Sequence, residues 1–310
     1  MQTSEGAPVF ESVRLEFIQF LRAAGRAPAT IKAYDCDLKR ILTAGGILSL
    51  HDFQEDTLST AIVQWGTGDG GDGCPARSEA TVNRAKSAIR AFAKWCKLRG
   101  YLDRDFSETL PLVRSVPRRT VPMALEEARR LLTTIAESKD PLAGRDHLLF
   151  SLYAVTGMRC SEVVALQIGD YDRVRKSLHP RNTKCRVERH HPVPPRLAER
   201  LETFCESRFR PNGASLPLFT GRCPHRSLST RAVQMRLDHW KRRSGIRDVL
   251  SVHSFRAGLA THLHRTTGDL LLVAHALGHV DLRTAERYVF WDEEELREAL
   301  AETEESLQAW

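Results

Sequence analysis

The sequence lacks several features that would place a protein in a common class. No stretch approaches the ~18 uninterrupted apolar residues of a membrane-spanning helix, and the first residues do not pair basic charge with an apolar segment as secretion signals do. It contains neither a glycine loop for nucleotide phosphates nor a carboxylate cluster suited to magnesium. We therefore expect a cytoplasmic protein that is not membrane-bound and needs no metal or cofactor.

Cysteine is scarce, and its spacing is not that of a metal or redox motif. The seven cysteines are an odd number, and no two are spaced as C-x-x-C. Cys223 and His225 lie close in the sequence, but no second pair completes a metal site. This usage is typical of reduced thiols in the cytoplasm.

Basic residues outnumber acidic residues, and the charge is distributed unevenly along the chain. The net charge is +7, yet residues 292–310 hold eight acidic residues and one basic residue. That tail carries −7, so residues 1–291 carry +14. A strongly basic body indicates a polyanionic partner, for which DNA, RNA and an anionic membrane are the candidates.

The first hundred residues predict a helical domain, which we bound at residues 1–107. Apolar residues recur at helical spacing from Phe10 to Leu21, and a second helix is predicted to begin at an N-cap, Thr30, and to end at Gly45–Gly46. The run from Gly66 to Gly73 predicts a surface loop. A longer helix follows, with a basic face that suits either a phosphate backbone or ordinary solvation. That face consists of Arg84, Lys86, Arg90, Lys94, Lys97 and Arg99.

Prolines and arginines mark a change of character after this domain. Residues 108–122 predict an extended basic linker, because Pro111, Pro117 and Pro122 disfavour helix. The second domain, 123–291, is predicted to be helical except for residues 173–193, where alternation predicts short antiparallel strands. The predicted strand residues are Val174, Leu178, Val187 and Val193. The fold class is thus mainly α with a small antiparallel β-sheet.

Four segments of the second domain carry polar residues with catalytic potential. They are TGMRCSEVVAL with Arg159 and Glu162, NTKCRVERHHPVP with Lys184, HSFR with His253 and Arg256, and LGHVDLRTAERY with His279 and Tyr288. Each has an ordinary structural explanation when taken alone, such as a surface arginine or a core tyrosine. Their order and spacing together indicate a single site.

These segments resemble the tyrosine recombinase (phage integrase) family, and the similarity spans roughly residues 8–291. TGMRCSEVVAL is similar to the family's first arginine box, HSFR to its H-x-x-R box, and LGHVDLRTAERY to its closing box with the nucleophilic tyrosine. TIKAY and TVNRAKSAIRAFAKW resemble its helical core-binding domain. The family's hairpin lysine aligns with Lys184, near the basic residues Arg181, Arg186 and Arg189.

The resemblance implies a site-specific recombinase that breaks and rejoins DNA. Tyr288 would form a 3′-phosphotyrosyl link, with Arg159, Arg256 and His279 stabilising the phosphate. His253 would accept the phenolic proton, Lys184 would protonate the leaving 5′ oxygen, and Glu162 would support the site. The rival functions are a non-enzymatic DNA-binding accessory protein and a type IB topoisomerase-like enzyme.

The resemblance also implies partners and a cellular location. We expect double-stranded DNA as substrate, assembly into a tetramer on two DNA sites, and a nucleoid-associated cytoplasmic protein. Residues 292–310 alternate acidic residues with Leu296, Leu300 and Leu307, which predicts an amphipathic helix. That helix would dock on a neighbouring subunit or, alternatively, on its own domain.

Overall fold

A computed structural model describes residues 10–68, 75–113, 120–181, 190–207, 213–221 and 223–278. The chain divides into two compact units, Met1–Pro117 and Arg118–Trp310. In the described part of the chain, no helix is both long and apolar enough to span a membrane.

The described part of the first unit consists of helices joined by turns and loops. Its helices are α1 (Phe10–Ala23), α2 (Pro28–Ala44), α3 (Glu55–Thr67) and α4 (Glu79–Leu98), followed by a single 3₁₀ turn at Ser107–Thr109. The apolar stripes predicted from the sequence form one core around Phe92, whose ring meets those of Phe17 and Phe53 edge-on at 5.2 and 5.3 Å. The prediction of a helical first domain is confirmed.

Two helix boundaries in the first unit differ from the predictions. The second helix begins at Pro28 with Ala27 as N-cap, not at Thr30, because the fixed φ of proline suits the first helical position. The loop predicted from Gly66 begins later, since α3 continues to Thr67 and ends at Gly68 in the left-handed region (φ 88°). Residues 69–74 of the predicted loop lie outside the described residues.

The basic face of α4 is partly used within the first unit. Arg84 donates two hydrogen bonds to Asp37 on α2, at 2.7 and 2.9 Å, and that carboxylate is only 1% exposed. Lys86 and Lys97 donate to the backbone carbonyls of Pro111 and Asp103. Three of the six predicted cations therefore stabilise the helical bundle, so only part of this face suits a phosphate backbone.

The second unit combines helices with a small sheet. Its helices are α5 (Leu125–Ala136), α6 (Ala143–Thr156), α7 (Cys160–Ala165), α8 (Pro195–Glu206), α9 (Thr230–Ser244), α10 (Val252–Thr267) and α11 (Leu270–Leu277). The strands β1 (Tyr171–Asp172), β2 (Ser177–Leu178) and β3 (His191–Pro192) pair antiparallel in that order. This arrangement confirms the predicted fold class.

The sheet differs in detail from the predicted hairpin. Val174 is not a strand residue but lies in the turn between β1 and β2, where it is 93% exposed. Asp172 fixes that turn by accepting hydrogen bonds from the backbone N–H groups of Val174 and Arg175, both at 2.9 Å. Leu178 is in β2, as predicted, but Val193 follows β3 and is not a strand residue, although it is buried. Val187 lies outside the described residues.

Helix α6 runs through the centre of the second unit and is buried along most of its length. Phe150 on this helix stacks on Phe255 of α10, with ring centroids 5.8 Å apart. Asp146, fully buried, accepts hydrogen bonds from Arg145, from Arg236 and from the indole of Trp240. These contacts hold α6 between α9 and α10, the helices that lead into the candidate site.

Candidate active site

Arg159 stands at the N-cap of α7 and is held there by Glu162. The Arg159 backbone N–H donates to one Glu162 oxygen and its Nη1 to the other, both at 2.8 Å. Glu162 is 2% exposed and Arg159 is 22% exposed, so the carboxylate is inside and the guanidinium reaches solvent. Burial alone would raise the pKa of Glu162, but these hydrogen bonds and the charges of Arg159 and His191 lower it overall.

A turn at Gly157 places Arg159 at the start of α7. Gly157 ends α6 in the left-handed region, at a φ of 59°. A Cβ atom there would come within 2.8 Å of Leu277 and 2.9 Å of Leu259, so a side chain would be both strained and obstructed. The packing of α10 and α11 against this turn therefore requires glycine at position 157.

Arg256, on α10, joins three segments of the second unit. Its guanidinium is buried, and it donates from Nη1 to the Gly157 carbonyl and from Nη2 to the Leu277 carbonyl, both at 2.6 Å. Gly157 lies two residues before Arg159, and Leu277 ends α11. The buried guanidinium thus ties the first arginine segment to the end of α11.

His253 lies one turn before Arg256 on the same helix. The residue is exposed, but the protein around its ring partly desolvates it, and this desolvation together with the positive charges of Arg256 and Arg159 lowers the pKa of His253 below 6.5. The imidazole is therefore neutral at pH 7 and able to accept a proton.

We expect the pKa of His253 to rise toward 6.5 in Arg159→Gln, because one of the two nearby positive charges is removed. NMR titration of the imidazole Cε1–H signals would measure this change. Arg129→Gln is a matched control, since Arg129 is 75% exposed on α5 and pairs with Glu126. A His253 pKa that stays the same or falls in Arg159→Gln would contradict the placement of Arg159 beside His253.

The start of α10 is positioned by residues that the sequence did not single out. Lys241, buried at the end of α9, donates to the carbonyls of Asp248 and Leu250 at 2.9 and 2.6 Å. Gly258 leaves no room for a Cβ atom, because the Met123 carbonyl lies against it. In the sequence, the features that could have indicated this role are a lysine in a helix rich in basic residues and a glycine directly after the HSFRA segment.

The structure brings together four of the seven predicted site residues. Arg159, Glu162, His253 and Arg256 meet where α7, α10 and the end of α11 converge. Lys184, His279 and Tyr288 lie outside the described residues, as does the predicted C-terminal helix at 292–310. Within the described ranges, no three or more His, Cys, Asp or Glu side chains are grouped to hold a metal ion, and this includes Cys223 and His225.

The chain is similar to known proteins in a family comparison, in sequence and in structure. The model of the phage integrase family matches residues 122–295. Over 284 residues the chain is 31% identical to tyrosine recombinase XerC of Chromobacterium violaceum, covering 91% of this chain and 90% of that protein. Its fold is similar to that of lambda integrase in a dimer bound to a COC′ core site, with a TM-score of 0.71, 17% identity, and coverage of 93% and 81%. A lambda integrase tetramer bound to a Holliday junction gives a TM-score of 0.70 at 16% identity, covering 93% and 80%.

Proposed function

Because the chain belongs to the phage integrase family and is a tyrosine site-specific recombinase, we propose that it cleaves and rejoins duplex DNA through a covalent link to Tyr288. The Tyr288 hydroxyl attacks a backbone phosphorus, a P–O bond to Tyr288 forms, and the bond to the 5′ oxygen breaks. The 5′-hydroxyl of another strand then attacks the phosphotyrosine and restores a phosphodiester. The covalent link conserves the energy of the broken bond, so the cycle needs no high-energy cofactor.

The two arginines supply the charge that phosphoryl transfer requires. A phosphodiester repels nucleophiles because it is negative, and its transition state gathers further charge on the non-bridging oxygens. Arg159 and Arg256 offer planar, permanently charged donors, and His279 supplies a further donor. Glu162 holds Arg159 by two hydrogen bonds, so its role is to orient the guanidinium and not to touch the DNA.

Two side chains move the protons. The lowered pKa keeps His253 neutral at pH 7, which suits it to accept the proton that Tyr288 loses. Lys184 donates a proton to the departing 5′ oxygen and thereby makes it a better leaving group. Each proton removed at one end of the reaction is matched by one supplied at the other.

The observation that carries this proposal is the hydrogen bond from Arg256 to the Gly157 carbonyl, two residues before Arg159, with His253 one turn before Arg256 on α10. A non-enzymatic accessory protein has no need for two arginines and a histidine of lowered pKa in this arrangement. A topoisomerase-like enzyme would use similar chemistry, but the XerC similarity over nine-tenths of the chain favours strand exchange between sites.

We further propose that the active form is a tetramer on two double-stranded DNA sites. The basic body of residues 1–291 supports a DNA partner, and the similar lambda integrase structure contains a tetramer on a Holliday junction. In that assembly the acidic helix predicted at 292–310 would dock on a neighbouring protomer. We propose domain bounds of 1–107, 108–122 and 123–291 for the same protein.

The function is tested by trapping the covalent intermediate without magnesium. The full chain is mixed with nicked DNA substrates drawn from repeats flanking its gene, run on a denaturing gel, and any adduct is digested and mapped by mass spectrometry. We expect a nucleotide attached to Tyr288, and strand-exchanged products when two intact sites are supplied. DNA binding without any adduct would favour the accessory protein, and relaxation of plasmids lacking a site would favour the topoisomerase.

A further inference from the structure

A pair of histidines faces each other at the end of the small sheet. The register pairs Ser177 with Pro192 and Leu178 with His191. Continuing that register by one residue places His179 directly opposite His190, beyond the last pair of the ladder. Side chains of directly opposite residues lie on the same face of a sheet, close enough to interact.

The two imidazoles are in contact through their nitrogens. His190 Nδ1 and His179 Nε2 are 3.2 Å apart, and the ring planes are close to perpendicular, with centroids 4.2 Å apart. The Ser177 hydroxyl lies 2.8 Å from the same His179 Nε2. His190 is exposed and His179 half-buried, so solvent reaches the point where these atoms converge.

This spacing is the one that a single metal ion imposes on two imidazole ligands. Zinc–nitrogen bonds of about 2.0–2.1 Å at a tetrahedral angle place the two nitrogens about 3.3 Å apart. The observed separation of 3.2 Å is close to that value, and an ion would replace the hydrogen bonds that His179 Nε2 makes with His190 and Ser177. Each histidine is directly next to a strand residue, Leu178 of β2 or His191 of β3, and these two residues are paired in the sheet.

The charges around the pair are compatible with a cation. Asp172, on β1, interacts electrostatically with His179. Arg181, the nearby cation on the chain after β2, is paired with the buried carboxylate of Asp170. The negative charge of Asp172 therefore partly offsets the repulsion that other basic residues exert on an incoming ion.

We propose that His179 and His190 form a binding site for one divalent transition-metal ion that prefers imidazole, such as Zn²⁺, Ni²⁺ or Cu²⁺. Water fills the remaining coordination positions, and the Ser177 hydroxyl hydrogen-bonds to one of these waters. Imidazole nitrogens select such ions over Mg²⁺ and Ca²⁺, which prefer oxygen. The ion would cross-link β2 to β3 and so stabilise the sheet. The two histidines precede and follow the segment of the chain that carries Lys184, but the metal site itself does not depend on the proposed phosphoryl-transfer chemistry.

Isothermal titration calorimetry of the full, tag-free chain with NiCl₂ and ZnCl₂ tests the site. At pH 7.5, where most imidazoles are neutral, we expect one tight binding event that is at least about tenfold weaker in His190→Gln and in His179→Gln. His51→Gln is the matched control, because His51 is an exposed histidine of the first unit, and it should bind like the wild type. Equal affinity in all four proteins, or no tight event in the wild type, would overturn the proposal.

Thermal unfolding gives a second readout that does not depend on activity. Ni²⁺ should raise the Tm of the wild type and of His51→Gln but not of His190→Gln, since binding to the folded state alone stabilises it. Mg²⁺ should raise none of them. Because His190 is exposed, its variant should have the wild-type Tm in EDTA, so a lost response reports lost binding. The same increase of Tm with Ni²⁺ in His190→Gln would contradict the two-histidine site.

Discussion

Tyr288→Phe is expected to give no covalent protein–DNA adduct and no recombinant product. Phenylalanine keeps the ring and removes only the hydroxyl proposed to attack phosphorus, so the link cannot form at residue 288. Binding to the site should persist, because affinity for DNA comes mainly from contacts with the phosphate backbone. Denaturing gels for the adduct and mobility shifts for binding measure the two properties separately.

Tyr171→Phe is the matched control for that experiment. The Tyr171 hydroxyl donates to Glu202 at 2.9 Å, at the first strand of the sheet, and takes no part in the proposed chemistry. This variant should form adduct at the wild-type rate. Adduct formation by Tyr288→Phe would assign the nucleophile to another residue, and loss of adduct in both variants would point to a folding defect.

Arg256→Lys is expected to slow adduct formation by roughly 100- to 1,000-fold, the usual cost of removing one donor to a developing charge. Lysine keeps the positive charge but lacks the planar guanidinium group, which can donate two hydrogen bonds to the oxygens of one phosphate. It also cannot reach both the Gly157 and the Leu277 carbonyls as the guanidinium does. Single-turnover rates on a nicked substrate would measure the loss.

A comparison with Arg159→Lys separates chemistry from support of the fold. In the described part of the chain, the Arg159 side chain is 22% exposed and hydrogen-bonds to Glu162, whereas Arg256 is buried and donates to two carbonyls. We expect both variants to lose rate but only Arg256→Lys to lower Tm appreciably, because unpaired buried carbonyls are costly. Arg129→Lys, on the exposed side of α5, should change neither. Wild-type rates in Arg256→Lys would remove it from the proposed site.

Local patterns in the sequence were enough to predict most helices and the identity of the site segments. Helix α4 shows this clearly, because Ala85, Ile89, Phe92 and Cys96 recur at helical spacing and all four are buried. The period of an amphipathic helix is a property of neighbouring residues, so it is legible without any knowledge of the fold. The family resemblance likewise depends on short segments, each continuous in the chain.

Predictions were less accurate where nearby residues favour different structures, or where the partner of a residue is distant in the sequence. Thr30 is a good capping residue, yet Pro28 begins the helix two residues earlier. Val174 has the propensity of a strand residue, but the Asp172 carboxylate accepts a hydrogen bond from its backbone N–H and holds it in a turn. The basic face of α4 was ambiguous because only the folded bundle shows that Arg84 meets Asp37, 47 residues away.

The sequence alone determined the helical period, the contrast between the basic residues 1–291 and the acidic residues 292–310, and the four segments that resemble the recombinase family. Only the tertiary structure decided how those segments meet. The Arg256 guanidinium joins Gly157, 99 residues earlier, to Leu277, 21 residues later. Desolvation, together with the charges of Arg256 and Arg159, lowers the pKa of His253. Such contacts depend on the packing of α6, α7, α10 and α11 against one another, and no local pattern in the chain encodes a distance between residues so far apart.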